Sequence, residues 1–327
     1  MFLKQIVVVI DMMDRRQEMK KMLAHYKNGN AEVVLFEDGT RIIQSDDDEL
    51  KLARPLNIDC KLSNKCSVGC QMCHENSVPN GDYAELSDLG FFRTMQEGAE
   101  IALGGGCLTE YPYLREVLEL AHECKLFANC TFHSSEIMNK FNKIKELQDE
   151  GLIYGMGISI SVPASFINKK LCDKINQLDN VVLHVINGLF TQEHLDHIVK
   201  YIKNPKILIL GYKDVRRGKT YHRAENTVIT QNQNWLFKNL ESMQKNKRIK
   251  CISFDNLAIE QLHPQRLVSQ DKWDELFQGE DGTSTMYVDV VKKEFAVSST
   301  CMNKHPMTDD IKDMFEVVKR EANAGLL

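Results

Sequence analysis

Ile101 to His133 reads IALGGGCLTEYPYLREVLELAHECKLFANCTFH. Its first six residues are apolar and end on Gly104, Gly105 and Gly106, which suits a buried strand running into a loop. Leu114, Val117, Leu118 and Ala121 then recur at helical spacing on one stripe. FANCTFH returns to a strand. Strand, helix and strand follow one another with few residues between, which is a βαβ unit.

Working outward, the unit repeats. LNIDC (Leu56 to Cys60) is a strand before it, followed by the cysteine loop and by SDLGFFRTMQEGA, a helix capped by Ser87 or Asp88. After it come the helix SSEIMNKFNKIKELQDEG closing on Gly151, the strand GMGISISV and the helix ASFINKKLCDKINQL. The strand VVLHVIN, a helix capped by Thr191, and KILILG (Lys206 to Gly211) complete six units. Nearly all-apolar strands alternating with helices imply a parallel sheet covered on both faces. Six in a row fit a partial or complete (β/α) barrel better than a doubly wound sheet. The expected fold is α/β, a partial (β/α)6 TIM-like barrel over residues 53–260.

The flanks read differently. DRRQEMKKMLAHYK is expected to be helical, with Met19, Met22, Leu23 and Tyr26 on one face. EVVLFEDGTRIIQS places two β-rich runs around Asp38-Gly39, a hairpin signal. Residues 1–52 form an N-terminal β-hairpin extension on this reading. KDVRRGKTYHR gathers Lys213, Arg216, Arg217, Lys219, His222 and Arg223 on an expected loop, before a helix from Trp235 to Gln244 and the strand CISFDN. Residues 261–327 hold a hairpin about Lys292-Lys293 and a last helix from about Asp309 to Asn323, a segment expected to close the barrel mouth.

The chain has 327 residues, 43% of them hydrophobic and 27% charged, enough for a large core. A net charge of -5 gives no global pull toward duplex nucleic acid or anionic lipid. No apolar run reaches membrane-spanning length. IVVVI (Ile6 to Ile10) is too short for a signal-peptide core and Asp11 follows it, which argues for a cytoplasmic protein. Ten cysteines in such a chain should be mostly reduced.

Chemistry concentrates in KCSVGCQMCHE (Lys65 to Glu75), with Cys66, Cys70 and Cys73 in a Cx3Cx2C array. Three thiolates on so short a loop can converge on one metal centre. Structural zinc would have to recruit a distant fourth ligand. CQMCH also matches c-type haem attachment, which needs an oxidising, exported setting and leaves Cys66 unused. The cysteine loop, the triple glycine, Asn187-Gly188 and Gly211 all follow strand C-termini, where active sites of parallel α/β folds lie.

CSVGCQMC after the first strand with GGG after the second resembles the radical S-adenosylmethionine (radical SAM) superfamily, over residues 54 to 260. ILGYKDVRRG, FDNLA and MYVDVVKKEFAVSST further resemble small phage-encoded members. The resemblance implies that Cys66, Cys70 and Cys73 bind a [4Fe-4S] cluster whose fourth iron chelates S-adenosyl-L-methionine. One electron, from a reductant such as flavodoxin or ferredoxin, then yields a 5′-deoxyadenosyl radical that abstracts hydrogen from substrate. Gly104, Gly105 and Gly106 match the stretch that holds the methionine amino group. Ser159 and Ser161 match contacts to ribose or carboxylate, Asn187 and Gly188 contacts to ribose and adenine, and Gly211 and Tyr212 border adenine. Met72 stands where an aromatic residue usually packs on adenine, and Cys107-Leu108 where Glu and Pro often follow the glycines. The resemblance names no catalytic side chain.

The basic run makes an anionic substrate, a nucleotide or a peptide, the leading expectation, with Arg216 or Arg217 meeting its carboxylate or phosphate. Asp255 could orient it or merely cap a turn. The alternatives are a non-enzymatic binding protein stapled by zinc or an Fe-S site, and a group transferase using the same cofactor.

Overall fold

The computed structural model describes residues 6–8, 21–47, 49–277 and 279–325. After β1 (Ile6–Val8), the strands β2 (Met22–Asn28), β3 (Ala31–Phe36) and β4 (Arg41–Ser45) form a separate three-stranded antiparallel sheet. The Asp38-Gly39 turn joins β3 to β4 as expected, with the Phe36 amide donating to the Thr40 carbonyl at 2.9 Å. The first strand replaces an expected helix. Ala31, Val33 and Leu35 alternate inward on β3, and Gly29 (φ +64°) lets the chain turn back beside them. Pairing with that neighbour outweighs the local helical spacing of Met22, Leu23 and Tyr26. The rest of that expected helix, including Met19, lies outside the described residues.

The body of the molecule is laid down by β5 (Asn57–Ser63), β6 (Glu100–Gly105), β7 (Phe127–His133), β8 (Gly155–Ser159), β9 (Val181–Ile186), β10 (Lys206–Leu210) and β11 (Cys251–Phe254). Each pairs in parallel with the next. The connections carry α1 (Leu114–Glu123), α2 (Ser134–Asp149), α3 (Lys169–Ile175), α4 (Gln192–Tyr201) and α5 (Arg217–Gln244). On α1 the buried residues are Leu114, Val117, Leu118 and Ala121, the stripe read from sequence. Burying each of the three larger ones contributes about 1.5–3 kcal/mol. Thr191 caps α4, its hydroxyl accepting from the His194 amide.

Three connections depart from expectation. Between β5 and β6 the helical segment Leu86–Thr94 is 3-10, with Gly90 at its centre weakening an α-helix. ASFINKKLCDKINQL splits because the Asn168 side chain caps at the Leu171 amide and starts α3 there. The basic run is not a loop beyond Arg216: α5 begins at Arg217 and runs 28 residues, broken only by non-helical angles at Glu225. Its buried residues are few (Gly218, Ile229, Leu236, Leu240, Met243), so its polar first half carried no helical stripe to read.

After α6 (Asn256–Leu262) and α7 (Gln270–Leu276), β12 (Thr285–Asp289) and β13 (Glu294–Ala296) form the expected hairpin, followed by β14 (His305–Pro306) and α8 (Ile311–Asn323). β12 also pairs in parallel with β5, so the C-terminal segment extends the core sheet. Among the described residues the sheet has eleven strands in the order β1-β11-β10-β9-β8-β7-β6-β5-β12-β13-β14. It begins and ends on different strands and stays open: a partial barrel.

The small sheet docks at the strands' N-terminal ends. Arg41 on β4 forms a largely buried ion pair with Glu100, the first residue of β6. The Lys206 ammonium, at the start of β10, donates to the Asp38 carbonyl at 3.0 Å, and the Tyr154 hydroxyl, just before β8, donates to the Phe36 carbonyl at 2.6 Å. The opposite rim is left to the cysteine loop.

Candidate functional site

The cysteine loop leaves β5 and returns to itself. The Asn64 amide donates to the Asp82 carbonyl at 2.7 Å, Cys66 to Val78 at 2.9 Å, and Val78 to Asn64 at 3.0 Å. Within this closed flap, turns bring the Cys73 amide to the Cys70 carbonyl and the Asn76 amide to the Cys73 carbonyl, each at 3.3 Å. The end of β6 is welded to its base: Gly106 donates to the Ser63 carbonyl at 2.6 Å and Cys107 to the Lys65 carbonyl at 2.9 Å. A Cβ on Gly105 (φ +116°) would stand 2.3 Å from the Ser63 oxygen, and one on Gly106 2.0 Å from the Lys65 oxygen. What approaches these glycines is therefore the loop's own backbone.

Cys66, Cys70 and Cys73 line one cavity of about 180 Å³. The Cys66 sulfur lies 3.3 Å from the Cys107 sulfur, and the Cys70 sulfur 3.8 Å from the Ser161 hydroxyl. The Cys107 contact draws the Cys66 thiol down. Burial pushes Cys70 up. Among the described residues no three His, Cys, Asp or Glu side chains converge closely enough to hold a single metal ion. A cubane asks for something different, one thiolate at each of three separate corners around a void. Three thiols from one loop bordering one cavity fit that demand in donor type and number.

Of the other residues singled out from sequence, Met72, Gly105, Gly106, Ser159, Ser161, Gly211 and Tyr212 border the same cavity. Gly104 is buried within β6, paired with Lys61. Asn187 donates to the Gln261 side chain at 2.9 Å. A Cβ on Gly188 would meet Ile229 of α5 at 2.8 Å, so that glycine serves helix packing.

The expected substrate residues are placed elsewhere. The Arg216 guanidinium donates to the His74 carbonyl at 2.6 Å and Arg217 to the Ser77 carbonyl at 2.8 Å. Both clamp the cysteine loop. Asp255 is buried and caps α6, one oxygen accepting from the Ala258 amide at 2.7 Å and from Gly211 at 2.9 Å. Burial raises its carboxyl to about 6.

Other cavity residues had no motif to announce them. His133, Ser159 and His184 are consecutive register partners across β7, β8 and β9, a polar row on the cavity side. Burial lowers His133 to about 4 and His184 to about 3, so both rings are neutral. Among the described residues neither Nε2 has a hydrogen-bond partner. Gly157 makes room for the second ring, since a Cβ there would fall 2.2 Å from His184 Cε1. Lys61 lies inside β5, its ammonium 2.7 Å from Glu75 and 3.1 Å from Asp289. That buried trio ties the loop to both β5 and β12. Lys213, just past β10, is buried at the cavity and donates to the Ser299 hydroxyl at 2.7 Å.

No family model matches the sequence, and no curated protein matches it. Solved structures do match. Streptococcus suis SuiB bound to the precursor peptide SuiA superposes with a TM-score of 0.59 at 13% identity, covering 92% of this chain and 88% of that one. SuiB bound to S-adenosylmethionine gives 0.58 at 12% identity, covering 93% and 89%. The likeness is one of fold. Among the described residues no helix is long and apolar enough to cross a membrane.

Proposed function

We propose that this chain is a radical SAM enzyme. In this reading Cys66, Cys70 and Cys73 hold a [4Fe-4S] cluster, and S-adenosyl-L-methionine occupies the cavity beside Gly105, Gly106, Met72, Ser159, Ser161, Gly211 and Tyr212. When bound, the pair supplies reductive cleavage of the sulfonium cofactor and hydrogen-atom abstraction from a substrate. The observation that carries the reading is the sharing of one cavity by three thiols of one loop and the glycine end of β6. The fold likeness to a protein solved with S-adenosylmethionine supports it. Because that protein was also solved with a precursor peptide, a peptide is the favoured substrate, with a small anionic molecule second. A one-electron reductant such as flavodoxin or ferredoxin would feed the cluster.

The chain's own residues prepare the site. Arg216 and Arg217 hold the loop carbonyls, and Lys61 fixes Glu75 against Asp289. Neutral His133 and His184 offer ring nitrogens to a polar ligand without adding charge. The segment after β13 would limit water, which a reactive carbon radical requires. The division into an extension (1–52), a core barrel (53–260) and a closing segment (261–327) belongs to the same proposal.

Anaerobic reconstitution tests it. A brown protein with about four irons per chain supports the cluster. A colourless protein holding one zinc would instead favour a structural staple.

A further inference from the structure

We propose that Lys213 is the anchor for a carboxylate group on the substrate; the inference rests on the enzymatic reading above. Lys213 is 8% exposed and borders the cavity. Its ammonium donates to the neutral Ser299 hydroxyl at 2.7 Å, and among the described residues it forms no ion pair. The other cavity lysine, Lys61, is bracketed by Glu75 and Asp289. A buried ammonium loses more hydration than one hydroxyl returns, so an anion entering the cavity gains a waiting counter-charge. Burial draws the Lys213 amine down to about 8, against the more distant pull of Glu75, Asp255, Asp59 and Asp281.

Two details narrow the ligand. The guanidinium forks suited to a phosphate do not border the cavity, Arg216 and Arg217 each placing one nitrogen on a carbonyl of the cysteine loop. One ammonium matches the single charge of a carboxylate. Position narrows it further: Lys213 follows β10 and Ser299 follows β13, so their contact spans the two sides of the open sheet. A substrate entering laterally between those sides would meet Lys213.

The test is acetic anhydride pulse-labelling of the full chain, read at Lys213 by peptide mass spectrometry with Lys125, an exposed lysine that does not border the cavity, as internal reference. Propionate is the probe and propionamide its neutral counterpart, both small enough to enter whatever the true substrate's shape. At about four times its dissociation constant, propionate should slow Lys213 labelling about fivefold, since protection follows 1 + [L]/Kd. Propionamide should leave the rate unchanged. Calorimetry should show propionate binding weakened about tenfold or more in Lys213→Met, equivalent to about 1.4 kcal/mol. The wild-type labelling decides the matter if that variant does not fold. Equal rates with the two probes overturn the assignment. So does iron-loaded protein in which S-adenosylmethionine alone shields Lys213 and blocks propionate, for the lysine would then serve the cofactor's carboxylate. Iron content of the same samples separates the failures: absence of iron sinks the cluster reading, whereas iron without propionate protection sinks only the anchor.

Discussion

Replacing Gly106 by alanine would place a methyl group 2.0 Å from the Lys65 carbonyl oxygen and 2.7 Å from its carbon. Both are backbone atoms, so no side chain can swing aside, and the end of β6 must part from the cysteine loop. Parting loses the Gly106 to Ser63 bond at 2.6 Å and the Cys107 to Lys65 bond at 2.9 Å. Each contributes about 0.5–1.5 kcal/mol, and forced overpacking adds about 1–3 kcal/mol. The expected destabilisation is therefore about 2–6 kcal/mol, summed from those two sources. Gly90→Ala is the control, because a Cβ there meets nothing within 4 Å. Urea unfolding gives the free energy, and iron retained after desalting reports the loop directly. A Gly106→Ala protein matching Gly90→Ala in both measurements would refute the welded-loop geometry.

Other consequences are as concrete. Arg216→Ala removes the donor to the His74 carbonyl at 2.6 Å; the side chain is 39% exposed, so the loss should be about 1 kcal/mol, seen as about fivefold faster iron transfer to a chelator. An unchanged transfer rate would show that the clamp does not matter. Glu100→Gln leaves Arg41 without its carboxylate in a pair whose side chains are only 14% and 11% exposed, and should cost about 1–3 kcal/mol, below the fully buried limit. Faster proteolysis within residues 21–47 would report release of the small sheet, and a wild-type digestion pattern would contradict it. Burial holds His184 at about 3, below its unfolded value near 6.5, so its contribution is complete above pH 6.5. Below that the unfolded chain takes up the proton first, and stability should fall about 1.4 kcal/mol per pH unit toward pH 3. His184→Gln should flatten the urea-midpoint profile between pH 6 and 4, and parallel profiles would contradict the buried neutral ring.

Much of the barrel was legible because its signals are local. The α1 stripe, the Asp38-Gly39 and Lys292-Lys293 hairpins and the Thr191 cap each need only neighbouring residues. What escaped depends on partners distant in sequence. Met22–Asn28 is the exception, its partner being the next strand, whose pairing overrides a local helical spacing. Lys61 is an improbable core residue until Glu75 and Asp289, 14 and 228 positions away, neutralise it. β12 enters the core sheet through parallel pairing with β5, which no local pattern encodes. Of the site, the cysteine array was readable from spacing alone. The basic run gave no sign that two of its arginines grip backbone carbonyls of the cysteine loop, because such an arginine looks in sequence like one awaiting an anion.

The most direct measurement is release of 5′-deoxyadenosine by the anaerobically reconstituted full chain given S-adenosylmethionine and dithionite. The account predicts reductant-dependent release that disappears in Cys66→Ala, Cys70→Ala and Cys73→Ala and persists in Cys124→Ala. Release that survives in Cys70→Ala would contradict it, as would S-adenosylhomocysteine or methylthioadenosine in place of the deoxynucleoside.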